Sequence, residues 1–287
     1  MGEMAKQAVM TVYNVQLGLA VHVKAPNGKY IIIDLGTGVT GGGNESPLLK
    51  RRYDNIGYMV ITHPHLDHID DILNFDKNPP TTLRRAKSIA NEEVMEGVRE
   101  SDKPKFKKYC EINDRYSSPV SSSTDPSVPD NYGGLSIRTF DTSICDKDNF
   151  NNFSIITVFQ LAGCKIVVCG DNEKESLDIL MNRESFKEAV RNADILVAPH
   201  HGRESGYHDD FVSLVSPHVT IISDTSKSDA SAIDKYREKS SGWKVWNRNG
   251  GSDDRYCLTT RNDGNVSVTF GESDDPNYSS VLSIKLI

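Results

Sequence analysis

The segment Thr62-His63-Pro64-His65-Leu66-Asp67-His68 gathers the densest set of metal-binding side chains in the sequence, with three of the chain's eight histidines falling between positions 63 and 68. In an extended loop positions 63 and 65 point to the same side, so two imidazoles can meet on one ion. Asp67 and His68 fall at the turn into a helix and can face a second ion beside the first. Imidazole nitrogens and carboxylate oxygens are ligands for zinc, manganese or iron. The plainer reading is a polar turn with capping roles, and four such groups at this spacing outweigh it.

Two later points repeat the geometry. Asp171 ends the apolar run KIVVC (165–169) in CGD, and His200 and His201 end the run DILVA (194–198) in APHHG. A lone Asp at a strand end is usually a cap, and a lone His pair is usually structural. Beside the first motif the balance reverses: Asp171 can bridge two ions with its two oxygens, and His200 can complete the second site. Which of the adjacent pair His200 and His201 is the ligand stays open.

These side chains need strand ends to hold them. VMTVYNVQ (9–16), GLAVHVKAP (18–26) and KYIIIDLG (29–36) read as strands, the last two joined by a hairpin turn at Asn27-Gly28. YMVIT (58–62) is a continuous apolar run of the kind buried on both faces, and HIDDILNFD (68–76) reads as a short helix. A glycine-rich loop, GTGVTGGGNES (36–46), lacks the Gly-Lys-Ser/Thr ending of a phosphate loop. Residues 77–132 read as an insertion or lid of low internal stability, with a charged helix over 85–100 and a Ser/Pro-rich stretch after it. Order returns with strands at 135–140, 154–160, 165–169, 194–198 and 219–223. Helices are expected over 173–192 and 229–239, and a terminal hairpin over 256–270 turns at Asn262-Asp263-Gly264. Strands in two batches, each followed by helices, point to an α/β (α+β) fold. Its two sheets lie face to face with helices outside, in one domain spanning 1–287.

Composition narrows the function. The net charge of −7 argues against a protein that coats polyanions by bulk charge. The lysine run KPKFKK (103–108), with Arg84, Arg85 and Lys87 before it, reads first as a solvated face. Five cysteines in no zinc-knuckle spacing read as free thiols of a reducing compartment. No apolar run approaches the roughly 18 residues that span a bilayer, and the N-terminus has no leader pattern, so a cytoplasmic protein without membrane partners is expected.

The order His-x-His-x-Asp-His, then Gly-Asp, then His after a strand resembles the metallo-β-lactamase superfamily. More closely, THPHLDH, Asn151-Asn152-Phe153-Ser154, VCGD and ILVAPHHG resemble the hydrolase domain of ComEC-like competence proteins, over roughly residues 8–75 and 149–270. The resemblance implies a four-layer αββα sandwich with two divalent metal ions, zinc or manganese, at the open edge of the sheets. His63 and His65 match one site, Asp67, His68 and His200 the other, and Asp171 the bridge. Many members carry a further histidine between the first motif and the bridging Asp. No histidine lies between His68 and His200 here, so one site is weak. Asn151 and Ser154 match an Asn-x-x-Ser element near the substrate. The family's early Asp-Val-Gly-Gln-Gly element is Asn14-Val15-Gln16-Leu17-Gly18, and its His-His-Gly-Ser is His200-His201-Gly202-Arg203.

The expected chemistry is hydrolysis of a phosphodiester in DNA, RNA or a nucleotide by metal-activated water. Asp67 orients that water, Arg203 stabilises the developing charge, and His201 or His208 protonates the leaving group. Two alternatives stand beside it. One is an amide, ester or lactone hydrolase of the same superfamily. The other is a catalytically weak partner subunit of a multi-protein defence or DNA-processing system.

Overall fold

A computed structural model describes residues 5–37, 55–225 and 231–287. Most of the glycine-rich loop, 38–46, lies outside the described residues. Strands β1 (Gln7–Val12), β2 (Val21–Lys24), β3 (Tyr30–Ile33), β4 (Ile56–Val60) and β5 (Thr82–Arg84) come first. They are followed by β6 (Ser136–Phe140), β7 (Ile156–Leu161), β8 (Cys164–Val168), β9 (Ile195–Val197) and β10 (Val219–Ile222). The chain closes with β11 (Trp243–Trp246), β12 (Ser252–Arg255), β13 (Cys257–Thr259), β14 (Val266–Glu272) and β15 (Ser280–Leu286). Nine form one sheet in the order β12-β11-β15-β14-β1-β2-β3-β4-β5, and six form the other in the order β13-β10-β9-β8-β7-β6.

Period-two alternation within apolar runs builds the layers. Ile31 and Ile33 face the core between the sheets with Tyr58 and Val60, while Ile32, Met59 and Ile61 face outward. In the second sheet Ile166, Val168, Ile195, Val197, Val219 and Ile221 face inward. Val167, Cys169, Leu196, Ala198 and Ile222 face outward. Each outward set is covered by helices. On the first sheet these are α1 (Leu66–Ile69), α2 (Asn91–Met95) and α3 (Lys103–Arg115). On the second they are α4 (Lys174–Met181), α5 (Glu184–Val190), α6 (Asp209–Val215) and α7 (Ile233–Lys239). The four-layer αββα sandwich follows directly.

The hairpin at Asn27-Gly28 pairs Val21 with Ile33 and Lys24 with Tyr30. Three expectations change. Residues 256–270 are not a hairpin: β13 runs parallel to β10 in the second sheet, β14 pairs with β1 in the first, and a short helix, α8 (Thr260–Asp263), carries the chain between them. The alternating apolar residues on both sides of the Asn-Asp-Gly turn serve two different sheets, which periodicity cannot distinguish. The expected helix over 85–100 is only Asn91–Met95, and the longer helix is Lys103–Arg115. Within 77–132, β5 joins the sheet edge beside β4, and Tyr109 and Ile112 of α3 pack into the outer core. All five cysteines are free thiols. Among the described residues no helix is long and apolar enough to cross a membrane.

Gly170 sits where the sheets meet, at φ +58°, and a Cβ there would lie 2.9 Å from the Thr62 Cβ and 3.1 Å from the Ser154 Cβ. Both neighbours are fully buried and cannot withdraw. Gly170→Ala is expected to cost about 1–3 kcal/mol in a denaturant titration, from left-handed backbone strain plus the clash; an unchanged midpoint would contradict this placement.

Candidate metal centre

The site forms where β3, β4, β8, β9 and β10 end. Asp34 follows β3 in the left-handed region at φ +58°. Its Oδ1 accepts from the Thr62 backbone N–H at 2.7 Å and its Oδ2 from the Thr62 hydroxyl at 2.7 Å. The same Oδ2 lies 2.7 Å from His68 Nδ1. A carboxylate accepts only, so His68 carries its proton on Nδ1 and presents Nε2 to the centre. The Thr62 hydroxyl also lies 3.2 Å from His63 Nδ1.

Ser154 is fully buried. Its Oγ lies 3.1 Å from His63 Nδ1 and accepts the Asp171 backbone N–H at 3.1 Å. Expected near the substrate, Ser154 braces His63 and the loop that carries Asp171. His201 donates from Nδ1 to the Ser223 carbonyl at 2.8 Å and turns Nε2 inward.

Around Asp171 the donor atoms converge. Its Oδ1 lies 3.2 Å from His68 Nε2, and its Oδ2 lies 3.3 Å from His201 Nε2 and 3.9 Å from His63 Nε2. Asp67 Oδ2 lies 3.4 Å from His201 Nε2 and 3.8 Å from His68 Nε2. One ligand atom from each of Asp67, His68, Asp171 and His201 falls within 4.8 Å of the others. His63 and His65 stand beside this group, their ring centroids 4.5 Å apart and the His63 ring 4.2 Å from that of His68. The Nε2 atoms of His63, His68 and His201 are buried and have no hydrogen-bond partner. Buried polar atoms are almost always hydrogen-bonded, and three buried imidazole nitrogens that make no well-formed hydrogen bond, set 3.2–3.9 Å from the Asp171 carboxylate, fit a divalent cation.

The electrostatics agree. Burial alone would push His201 down, but the carboxylates of Asp171 and Asp67 outweigh it and raise it to about 10. Burial opposes charge on His68 too, and Asp171 and Asp34 raise it well above the ordinary histidine value. Burial would likewise raise Asp171, yet His201 and His68 hold it far below the usual carboxylate range. His63 moves the other way, kept neutral by burial and by His68 and His65 beside it. Without a cation, protons on two imidazoles balance the carboxylates; metal binding displaces protons of this kind.

His200 does not reach the centre. Its Nδ1 lies 2.8 Å from Ser205 Oγ and 2.9 Å from Glu173 Oε1, while its Nε2 accepts from Arg203 Nη1 at 3.0 Å. Both ring nitrogens are engaged. His201, which was expected to protonate a leaving group, stands in the His/Asp cluster where His200 was expected. Two successive left-handed residues, His200 at φ +46° and His201 at φ +54°, send the two rings to different sides of the turn, a conformation that spacing alone does not reveal. His208 caps α6, its Nδ1 accepting from the Phe211 N–H and its Nε2 lying 2.9 Å from Asp178, and it does not line the cleft.

The centre opens into a cleft of about 330 Å³ whose walls include Leu17, His65, Asp67, Asn151, Asp171 and Arg203. Leu17 of the early element Asn14–Gly18 lines the cleft, and Gly18 lies against Asp67, where a Cβ would fall 2.2 Å from the Asp67 carbonyl oxygen. Asp34 and Glu173 went unmarked in the sequence. Asp34 had a signal, since it closes the run YIII as Asp171 closes KIVVC.

The metallo-β-lactamase superfamily model matches residues 15–223. The chain belongs to this superfamily of metal-dependent hydrolases. Comparison with curated proteins gives no match. A mutant of the β-hydroxylase CmlA superposes with TM-score 0.51 at 10% identity, covering 93% of this chain and 54% of that one. The metallo-β-lactamase fold protein YhfI from Bacillus subtilis gives TM-score 0.42 at 13% identity over 79% of this chain and 91% of its own. Zinc-bound PqqB from Methylobacterium extorquens gives 0.44 at 12% over 76% and 89%.

Asp34→Asn keeps the size of the side chain but offers His68 Nδ1 a weaker and reversible partner. Its zinc affinity, read by competition with a chromogenic chelator, is expected to fall about 10–100-fold with the fold intact. Unchanged affinity would remove Asp34 from the account.

Proposed function

We propose that the chain is a metal-dependent phosphodiesterase acting on a nucleic acid or nucleotide. One observation carries the reading: a single cleft joins orphaned imidazole nitrogens around two carboxylates with the guanidinium of Arg203. In this reading Asp67, His68, Asp171 and His201 hold one divalent cation. His63 and His65 would hold a second more weakly. When bound, zinc or manganese there supplies Lewis acidity at a phosphoryl oxygen and a water acidified toward neutral pH.

The chain's own residues do the rest. Asp67, whose side chain is 18% exposed against 5% for Asp171, orients the attacking water and receives its proton. Arg203 binds the non-bridging oxygens as they gain charge. Two features favour a phosphodiester over an amide, ester or lactone. Arg203 is a planar donor suited to a tetrahedral anion. No further histidine separates His68 from His200 in sequence to complete a trio with His63 and His65. The ComEC-like motif order adds to these. The lysine run does not: Lys103 pairs with Glu100, Lys105 with Asp70, and Lys108 with Asp76 and Glu111.

The expected result is cleavage of bis-p-nitrophenyl phosphate that depends on added zinc or manganese. Asp171→Ala and His201→Ala should lose more than the roughly 10–100-fold that removal of an outer partner costs. Turnover of nitrocefin or a thioester by the metal-loaded protein, with no phosphodiester cleaved, would overturn the reading in favour of the amide and ester alternative.

A further inference from the structure

Glu173 stands two residues after Asp171 and opens α4 with an extended backbone, yet its side chain caps no helical N–H. Its Oε1 accepts from Asn151 Nδ2 at 3.0 Å and lies 2.9 Å from His200 Nδ1, while its Oε2 accepts from Asn149 Nδ2 at 3.0 Å. We propose that Glu173 is the positioning residue of the cleft, its carboxylate steadying, through His200, the guanidinium of Arg203 at the anionic group of the substrate, while it fixes the amide of Asn151. The proposal rests on the phosphodiesterase reading.

Donor and acceptor chemistry makes the arrangement directional. A carboxylate only accepts, so the amide NH₂ of Asn151 must face Glu173 and its Oδ1 must turn away. That oxygen faces His65 on the wall of the cleft. A guanidinium only donates, so His200 Nε2 must be bare to accept from Arg203 Nη1 at 3.0 Å. The ring proton therefore sits on Nδ1, facing Glu173 and Ser205. The Nδ1 proton is hydrogen-bonded to Ser205 Oγ, and the charge of Glu173 Oε1, 2.9 Å from the same nitrogen, favours the tautomer that holds Arg203. The His200 ring is itself held in place by its backbone, whose N–H donates to Gly170 O at 3.0 Å. The outcome is a cationic donor on the wall of the cleft, steadied through His200 by Glu173, with Asn151 fixed by the same carboxylate. A glutamine at 173 would present an NH₂ to Asn151 or to His200, inverting the amide or reversing the tautomer.

Inorganic phosphate is the probe, titrated calorimetrically into zinc-loaded full-length protein and used as a competitive inhibitor of bis-p-nitrophenyl phosphate cleavage. Glu173→Gln and Arg203→Ala are each expected to weaken phosphate binding about tenfold or more, the scale of a hydrogen bond to a charged group. Zinc content should not change, and KM should rise more than kcat falls. The double variant should bind no more weakly than Arg203→Ala, because both substitutions break one chain of contacts. Should Glu173→Gln fail to fold, His200→Asn, which tolerates the left-handed backbone, breaks the same link and should show the same non-additivity. Wild-type affinity in Glu173→Gln, or effects that add, would overturn the proposal alone. Zinc-loaded wild type that binds no phosphate would overturn the phosphodiesterase reading, and this proposal with it.

Discussion

Asp171 is a carboxylate with 3% of its surface exposed, set at the end of a central strand. An ionised carboxylate in such a place is strongly destabilising unless it is paired and hydrogen-bonded. The site is built to meet that demand. Its loop is fixed by Ser154, its Oδ1 faces His68, and its Oδ2 lies between His201 and His63. Each imidazole that faces it is held from behind: His68 by Asp34, His201 by the Ser223 carbonyl, and His63 by Ser154 and Thr62. The backing groups use up the Nδ1 atoms and leave the Nε2 atoms pointed at one small volume. A divalent cation in that volume would be held by Asp67, His68, Asp171 and His201.

The two sheets matter because they bring together strand ends distant in sequence. Asp34 and the His63–His68 segment leave the first sheet; Asp171, His201 and Ser223 leave the second. The Ile155 N–H donates to the Thr62 carbonyl at 3.2 Å, tying the sheets at the site itself. Left-handed residues cluster there, with Asp34, His200, His201, Gly170 and Gly18 all at positive φ. Such backbone costs energy and persists where surrounding contacts over-determine it.

Much of this was legible in the sequence. Apolar runs ending in Asp or His marked β4, β8 and β9 and the residues beyond them, because a fully buried strand must stop where a charged group starts. The layers followed from two batches of strands. Other features were hidden for physical reasons. Adjacent His200 and His201 are equivalent in composition, and only a left-handed turn separates their roles. Ser154 and Glu173 act through what they touch, which no local pattern encodes. The terminal strands β13 and β14 read as one hairpin because alternation reports a half-buried strand without naming its sheet. The pairing of β11 with β15, parallel and distant in sequence, had no local signal at all.

Anomalous scattering at the zinc edge from zinc-soaked crystals tests the central claim most directly. The account expects a peak at the roughly 2.0–2.3 Å ligand distances of zinc from His68, His201, Asp67 and Asp171, with the His200 ring still on Arg203. A peak on His200 instead of His201, or no peak in this volume, would contradict it.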